Sequence, residues 1–296
     1  KFNDLQKDGV VIIGGTISSV LKLMGDSKKG LEGGSWFGYG DGRPFADELI
    51  VDEASMMKFP SFLAVSTLVD TNARIMVTGD HQQLSPIVAH DWEEEQRPSV
   101  QEFEPHRSAF KLIQDIAQSP NITESQARSS ELNFTFRLPP EIRGLIRQLY
   151  EEDVELGGET AEDITLPSKK ESPMADVWQQ DTGLFLIEHT EERSRVSNPT
   201  ETEIVKRLLE NASGLEDGSV AVITPHTAQR ARLQTELEDF IGEALAPGSI
   251  DTVVRVQGGE CETVIVSPTA SAQTAISDNQ EFLLDLHRAN VAFSRA

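Results

Sequence analysis

The chain is short of the features that mark several broad protein classes. It holds one cysteine, Cys261, so no internal disulfide framework is available, and that usage suits a reducing cytoplasm. No apolar stretch approaches the roughly 18 residues of a membrane-spanning helix, and no signal-peptide pattern opens the sequence. Aromatic residues make up 6% and hydrophobic residues 38%, the low end for a globular α/β protein. Positive charge is scarce as well: 26 Lys and Arg stand against 49 Asp and Glu, a formal net charge of −23. Nucleic-acid binders usually carry a basic footprint, because phosphate contacts dominate their affinity. The imbalance reads as a protein that binds no nucleic acid, as a generic acidic surface, or as adaptation to a salt-rich prokaryotic cytoplasm, where acidic surfaces keep proteins soluble. Arg outnumbering Lys favours the last of these. No G-x-x-x-x-G-K-[ST] occurs anywhere either. Such a loop supplies the backbone cradle and the lysine for β- and γ-phosphates.

What is present is concentrated in residues 49–88, LIVDEASMMKFPSFLAVSTLVDTNARIMVTGDHQQLSPIV. One apolar run ends in Asp52-Glu53 and a second, residues 74–78, ends in Gly79-Asp80-His81-Gln82-Gln83-Leu84. Short apolar runs separated by a helix-length segment predict buried parallel strands joined by a crossover helix over residues 57–69. Both runs deliver polar groups at the strand's carboxyl end, where open α/β sheets bind ligands. Two carboxylates there can hold Mg²⁺ and orient a water, and a following glutamine can sense a phosphate. The pattern points to nucleotide hydrolysis.

The rest of the chain alternates in the same way. Residues 9–16 (GVVIIGGT) read as a buried strand, followed by a helix start at residues 17–24. The segment 25–43 is rich in glycine and charge and reads as an exposed loop, whose Trp36, Phe37 and Tyr39 either stack on bases or pack over the loop itself. Residues 89–105, acidic with Trp92 and two prolines, read as a surface excursion. Helical patterns are expected over 107–117, from Pro139-Pro140-Glu141 to about residue 150, and over 200–211 and 227–240. Strands are expected at 183–188, 220–224, 249–254 and 263–267. An acidic, aperiodic stretch near 151–172 reads as an insertion. At 296 residues there is room for two domains, expected at 1–127 and 128–296.

These residues resemble superfamily 1 helicases. Asp52-Glu53-Ala54-Ser55 looks like their Walker B box and residues 79–84 like the GDxxQL element. Further boxes follow in order: Leu132-Asn133-Phe134-Thr135-Phe136-Arg137, Val222-Ile223-Thr224-Pro225-His226 with Gln229, residues 251–260 (DTVVRVQGGE), and residues 287–296 (HRANVAFSRA). Ser108-Ala109-Phe110 and Asn198-Pro199-Thr200-Glu201 narrow the likeness to the branch of the nonsense-mediated-decay helicase and the replication helicase-nucleases.

The resemblance implies two RecA-like P-loop NTPase domains, each a parallel sheet flanked by helices. The first would be incomplete, so that the chain is an internal or C-terminal motor fragment without its Walker A part. ATP and Mg²⁺ are the implied cofactors. Asp52 would bind the metal with Asp80 supporting it, Glu53 would polarise the water, and Gln83 would contact the γ-phosphate. Arg137 and Arg295 would be arginine fingers. Gln257, Gly258 and Glu260 would lie at the nucleotide, with Glu260 on the ribose. Phe136 is either an adenine-stacking ring or a core residue, and Thr16 either a phosphate contact beside Ser18 or a helix N-cap. Ser85, Thr224, Pro225 and His226 would line the track of a single strand, DNA by preference over RNA. Stepping 5′ to 3′, with no membrane association, completes the expectation. An RNA helicase of the decay-factor type and a non-catalytic nucleic-acid-binding module on the same fold are the alternatives.

Overall fold

The computed structural model describes residues 10–26, 46–87, 97–98, 104, 106–123, 126–150, 156–158, 174, 176–179, 183–212, 215–256 and 258–295. The chain forms two compact units, one comprising Lys1–His81 with Ser85–Ser129, the other Gln82–Leu84 with Ser130–Ala296. Trp36, Phe37, Tyr39, Trp92 and most of 151–172 lie outside the described residues. Both units are mixed α/β with parallel sheets and packed helices.

In the first unit α1 (Ile17–Asp26) opens at Thr16, whose hydroxyl accepts from Ser19 N at 3.2 Å. Strand β1 (Ala46–Val51) leads through a 3-10 turn (Ala54–Met56) into α2 (Phe59–Ser66), with Pro60 in its first turn, where a missing N–H costs nothing. Strand β2 (Val69–Val77) then returns parallel to β1, with Leu49 opposite Ile75 and Val51 opposite Val77. Helix α3 (Ala109–Ala117) is capped by Ser108, which accepts from Lys111 N at 3.1 Å. The core gathers Val51, Ala54, Met57, Phe62, Val65, Leu68 and Ala109, with Leu49 and Val77 against it. Leu49 and Val51 sit two residues apart and face this core, as the period of a strand requires.

Two expectations fail in this unit. Residues 10–16 have the composition of a buried strand but pair with nothing among the described residues, and Val10 and Ile12 are 94% and 91% exposed. The strands β1 and β2 are not buried on both faces, since Ile50 is 67% exposed. Apolar runs encode a preference for burial, and the preference is met only where an edge or a helix arrives to cover them.

The second unit is built on a three-stranded parallel sheet in the order β6-β5-β7. Helix α5 (Pro199–Asn211) precedes β5 (Val220–Thr224), α6 (Thr227–Glu236) follows it, and β6 (Leu245–Thr252) and β7 (Thr263–Val266) lie on either side. All five β5 residues are buried, and Val205, Leu209, Val220, Val222, Leu233, Leu237, Leu245 and Ile250 form the core. A short parallel pair, β3 (Phe134–Thr135) and β4 (Gly157–Gly158), sits with α4 (Pro140–Arg147) over Leu138, Ile142 and Ile146. Helices α7 (Gln273–Asp278), α8 (Gln280–Leu283) and α9 (Leu286–Phe293) end the chain. The strand expected at 183–188 is absent: these residues take no ladder, and Leu184, Phe185 and Leu186 are exposed.

Candidate active site

At the carboxyl end of β1 and β2 the backbone is clamped. Thr78 N donates to Val51 O and Ala54 N donates to Thr78 O, each at 2.9 Å. The carboxylates of Asp52 and Glu53 therefore stand at the same sheet edge as Gly79 and Asp80. Asp52 is exposed. Its Oδ1 accepts from Glu53 N at 3.0 Å and from the Thr78 hydroxyl, whereas Oδ2 takes no hydrogen bond from a described residue. Glu53 holds φ +53°, ψ 40°, the left-handed region that a residue with a Cβ enters only at a cost of order 1–2 kcal/mol. Gly79 is a glycine for steric reasons: a Cβ there would lie 3.0 Å from the Phe110 ring and from Ser55 N.

The donor set suits Mg²⁺. Among the described residues no group of three or more His, Cys, Asp or Glu could cage a metal. Mg²⁺ rarely needs one, since it keeps several waters and binds through one or two carboxylates and the phosphates of its partner. Asp52 Oδ2 would hold it, and the ion would supply charge neutralisation to those phosphates.

In the second unit, residues from four separate boxes meet. Arg137 Nη2 donates to Glu260 Oε1 and its Nη1 to Ser294 O at 3.5 Å. Arg295 is buried, donating through Nε to Val291 O at 3.0 Å, through Nη1 to Gly259 O at 3.2 Å, and through Nη2 to Gln83 Oε1 at 3.5 Å. Asn290 Nδ2 ties the same helix to Gln82 O at 2.9 Å and to Tyr150 Oη at 3.2 Å. Phe136 is 73% exposed with its ring 4.9 Å from that of Phe134, so it is no core residue. Gly258 is exposed at φ +83°, and Gln257 lies outside the described residues.

The residues expected along the strand track divide. Thr16, Ser18 and Ser85 are exposed, Thr16 also capping α1. Pro225 and His226 are half-buried. Thr224, by contrast, is fully buried, its hydroxyl 2.8 Å from that of Thr269. A hydroxyl so enclosed is not presented to a ligand.

Sequence reading missed the knot to which Thr269 belongs. Glu201, a buried carboxylate, accepts from Thr269 N at 2.9–3.0 Å, from Asn198 Nδ2 at 3.0 Å and from the Ser267 hydroxyl. Asn198 N donates to Gln229 Oε1 at 2.7 Å, and Gln229 Nε2 returns to Asn198 O at 3.2 Å and Ser267 Oγ at 3.1 Å. Thr269 sits at φ +74°, held there by these bonds. Alongside it, Glu191 gathers the Ser271 hydroxyl and the amides of Arg193 and Ser194, which hold its carboxyl below the usual range despite the opposing effect of burial. The signal in the sequence was the density of Ser, Thr and Asn after strand ends.

The family model described as "AAA domain" matches residues 106–296. The chain is 24% identical over 267 residues to the DNA replication ATP-dependent helicase/nuclease JHS1 of Arabidopsis thaliana, covering 84% of this chain and 18% of that protein. It is 27% identical over 268 residues to the DNA polymerase alpha-associated DNA helicase A of Schizosaccharomyces pombe, covering 84% and 36%. With the 3'-5' exoribonuclease HELZ2 of Mus musculus the identity is 23% over 270 residues, covering 84% and 8%. The chain thus spans between 8% and 36% of the length of these relatives. From the boxes, their order and these matches, the chain belongs to the AAA-domain family, in the superfamily 1 helicase branch of the replication helicase-nucleases.

Proposed function

We propose that the chain is part of an ATP-dependent motor that steps along single-stranded DNA from 5′ to 3′. The observation that carries this reading is the clamped edge of β1 and β2, where Asp52 and Glu53 stand beside Thr78, Gly79 and Asp80. Asp52 presents one oxygen to Mg²⁺, and Asp80 supports that shell. Glu53 lies one residue on, where its carboxylate draws a proton from water attacking the γ-phosphate of ATP. Gln83 reports the presence of that phosphate. Arg137 and Arg295 bring guanidinium charge to it, Phe136 offers an exposed ring to the adenine, and Glu260, Gln257 and Gly258 serve the ribose side. Thr16, Ser18, Ser85, Pro225 and His226 meet the strand, with Thr224 behind them. The acidic balance supports a salt-rich prokaryotic cytoplasm as the setting, although the relatives named above are eukaryotic.

The test is turnover by the full-length protein with and without single strands. DNA oligonucleotides should stimulate hydrolysis, and a duplex with a 5′ overhang should be opened in preference to one with a 3′ overhang. Glu53→Gln should cut turnover by about 10²-fold or more, the usual cost of losing a general base, and leave ATP binding intact. The reading fails if no single strand stimulates hydrolysis, or if the variant keeps a tenth of the rate. Stimulation by RNA alone would favour the second reading, an RNA motor, which the exoribonuclease name of HELZ2 supports.

A further inference from the structure

We infer that Thr78 is a positioning residue for Asp52: its hydroxyl ties down Oδ1 and so leaves Oδ2 as the single oxygen offered to a divalent cation. The inference rests on Asp52 as the metal-holding carboxylate.

Four observations carry it. The Thr78 backbone is held on both sides, its N–H on Val51 O and its carbonyl on Ala54 N, both at 2.9 Å. The register of β1 on β2 therefore sets where the hydroxyl lies. Second, that hydroxyl makes its one hydrogen bond among the described residues to Asp52 Oδ1. Third, the same oxygen accepts from Glu53 N at 3.0 Å, so it receives two donors and the other oxygen none among the described residues. A carboxylate with one oxygen doubly engaged cannot turn to chelate through both, and monodentate ligation is what Mg²⁺ prefers. Fourth, the chain beside the clamp is closely packed, since a Cβ on residue 79 would lie 3.0 Å from the Phe110 ring and from Ser55 N.

The arrangement also reaches Glu53. A left-handed backbone at a residue with a Cβ persists only where its surroundings over-determine it. Here the Glu53 N–H is engaged by the oxygen that Thr78 steadies, so the hydroxyl helps to set the direction of both carboxylates. Thr78 would thus act as an outer-shell partner that orients a first-shell oxygen. Thr78 directly follows β2 and a valine would extend the strand equally well, so strand propensity alone does not call for the hydroxyl.

The full-length protein with Thr78→Val and Thr78→Ser tests this. The readout is the affinity of a fluorescent ADP, measured in EDTA and across a Mg²⁺ titration, with melting temperature alongside. Thr78→Val should raise the Mg²⁺ concentration at half-effect by roughly 10-fold, the low end of the cost of losing an outer-shell partner. Its affinity in EDTA and its melting temperature should match the wild type, and Thr78→Ser should restore the Mg²⁺ response. If Thr78→Val melts early, Thr78→Ala removes the hydroxyl without the branched methyls and is held to the same expectation. An unchanged Mg²⁺ response, an equal loss in EDTA, or a serine variant as impaired as the valine one would overturn the inference. Wild-type protein that binds nucleotide with no Mg²⁺ dependence would instead overturn the reading of Asp52 itself, and the inference with it.

Discussion

Burial holds the His226 imidazole below the ordinary histidine range, because its Nε2 is shut from water with no hydrogen-bond partner among the described residues. Its ring lies 5.5 Å from that of Phe282, whose face carries Arg288 at 4.3 Å. The linkage follows from the sign of that shift. Unfolded, the imidazole takes a proton near its ordinary value of 6.5; folded, it takes one only at lower pH. The stability it contributes is complete above 6.5 and drains away as pH falls below that value toward the folded pKa. Melting temperature should therefore drop between pH 7.5 and 5, and His226→Gln, which has no proton to take up, should flatten part of that slope. Identical slopes in both proteins would show that His226 does not titrate this way.

At the scale of the element, α5 depends on its first residues more than on its length. Asn198 is fully buried, caps the helix by accepting from Glu201 N at 3.1 Å, and donates to Glu201 Oε1 and to Thr269 O. Asn198→Ala removes a cap worth about 1 kcal/mol. It also strands the buried Thr269 carbonyl, at about 1–3 kcal/mol, while Glu201 Oε1 keeps the Thr269 N–H. A loss of roughly 2–4 kcal/mol in urea unfolding is expected, against about 0.5 kcal/mol or less for the exposed Glu203→Gln. A loss under 1 kcal/mol would mean that the knot relaxes around the gap. The same elements show what a sequence can disclose. Helix α5 was legible because Asn198-Pro199 announces its start, and β5 because VAVIT leaves no doubt about burial. Residues 10–16 and 183–188 have similar composition and form no strand, since pairing depends on a partner that local composition does not name. The placement of Asp52 and Glu53 at a strand end was likewise local information. The bond from Thr269 N to Glu201 spans 68 residues, and no spacing rule announces it.

For the whole molecule the net charge of −23 is the dominant long-range term. Self-repulsion of that size opposes compaction, and salt screens it, the Debye length falling from about 10 Å at 0.1 M to 3 Å at 1 M. Melting temperature should rise steeply between those two KCl concentrations if the acidic surface is an adaptation to salt. Affinity for a single strand should weaken only shallowly over the same series, because few Lys or Arg are present to release counterions. A flat melting temperature would remove the salt-adaptation idea, and a steep loss of affinity would reveal a basic track.

The strand order β6-β5-β7 has a consequence for how the chain is made. On the ribosome the central strand emerges before either neighbour, so Val220, Val222 and Ile223 wait unpaired until β6 has been synthesised, and the edge that meets β7 stays open until Val266 follows. Helix α6 follows at once, and its Leu233 joins the same core, which gives the nascent strand a local cover while its edges remain open. During that interval the segment is the one most open to capture by another chain. Its yield on expression should therefore depend on translation speed and chaperone supply rather than on the stability of the finished fold.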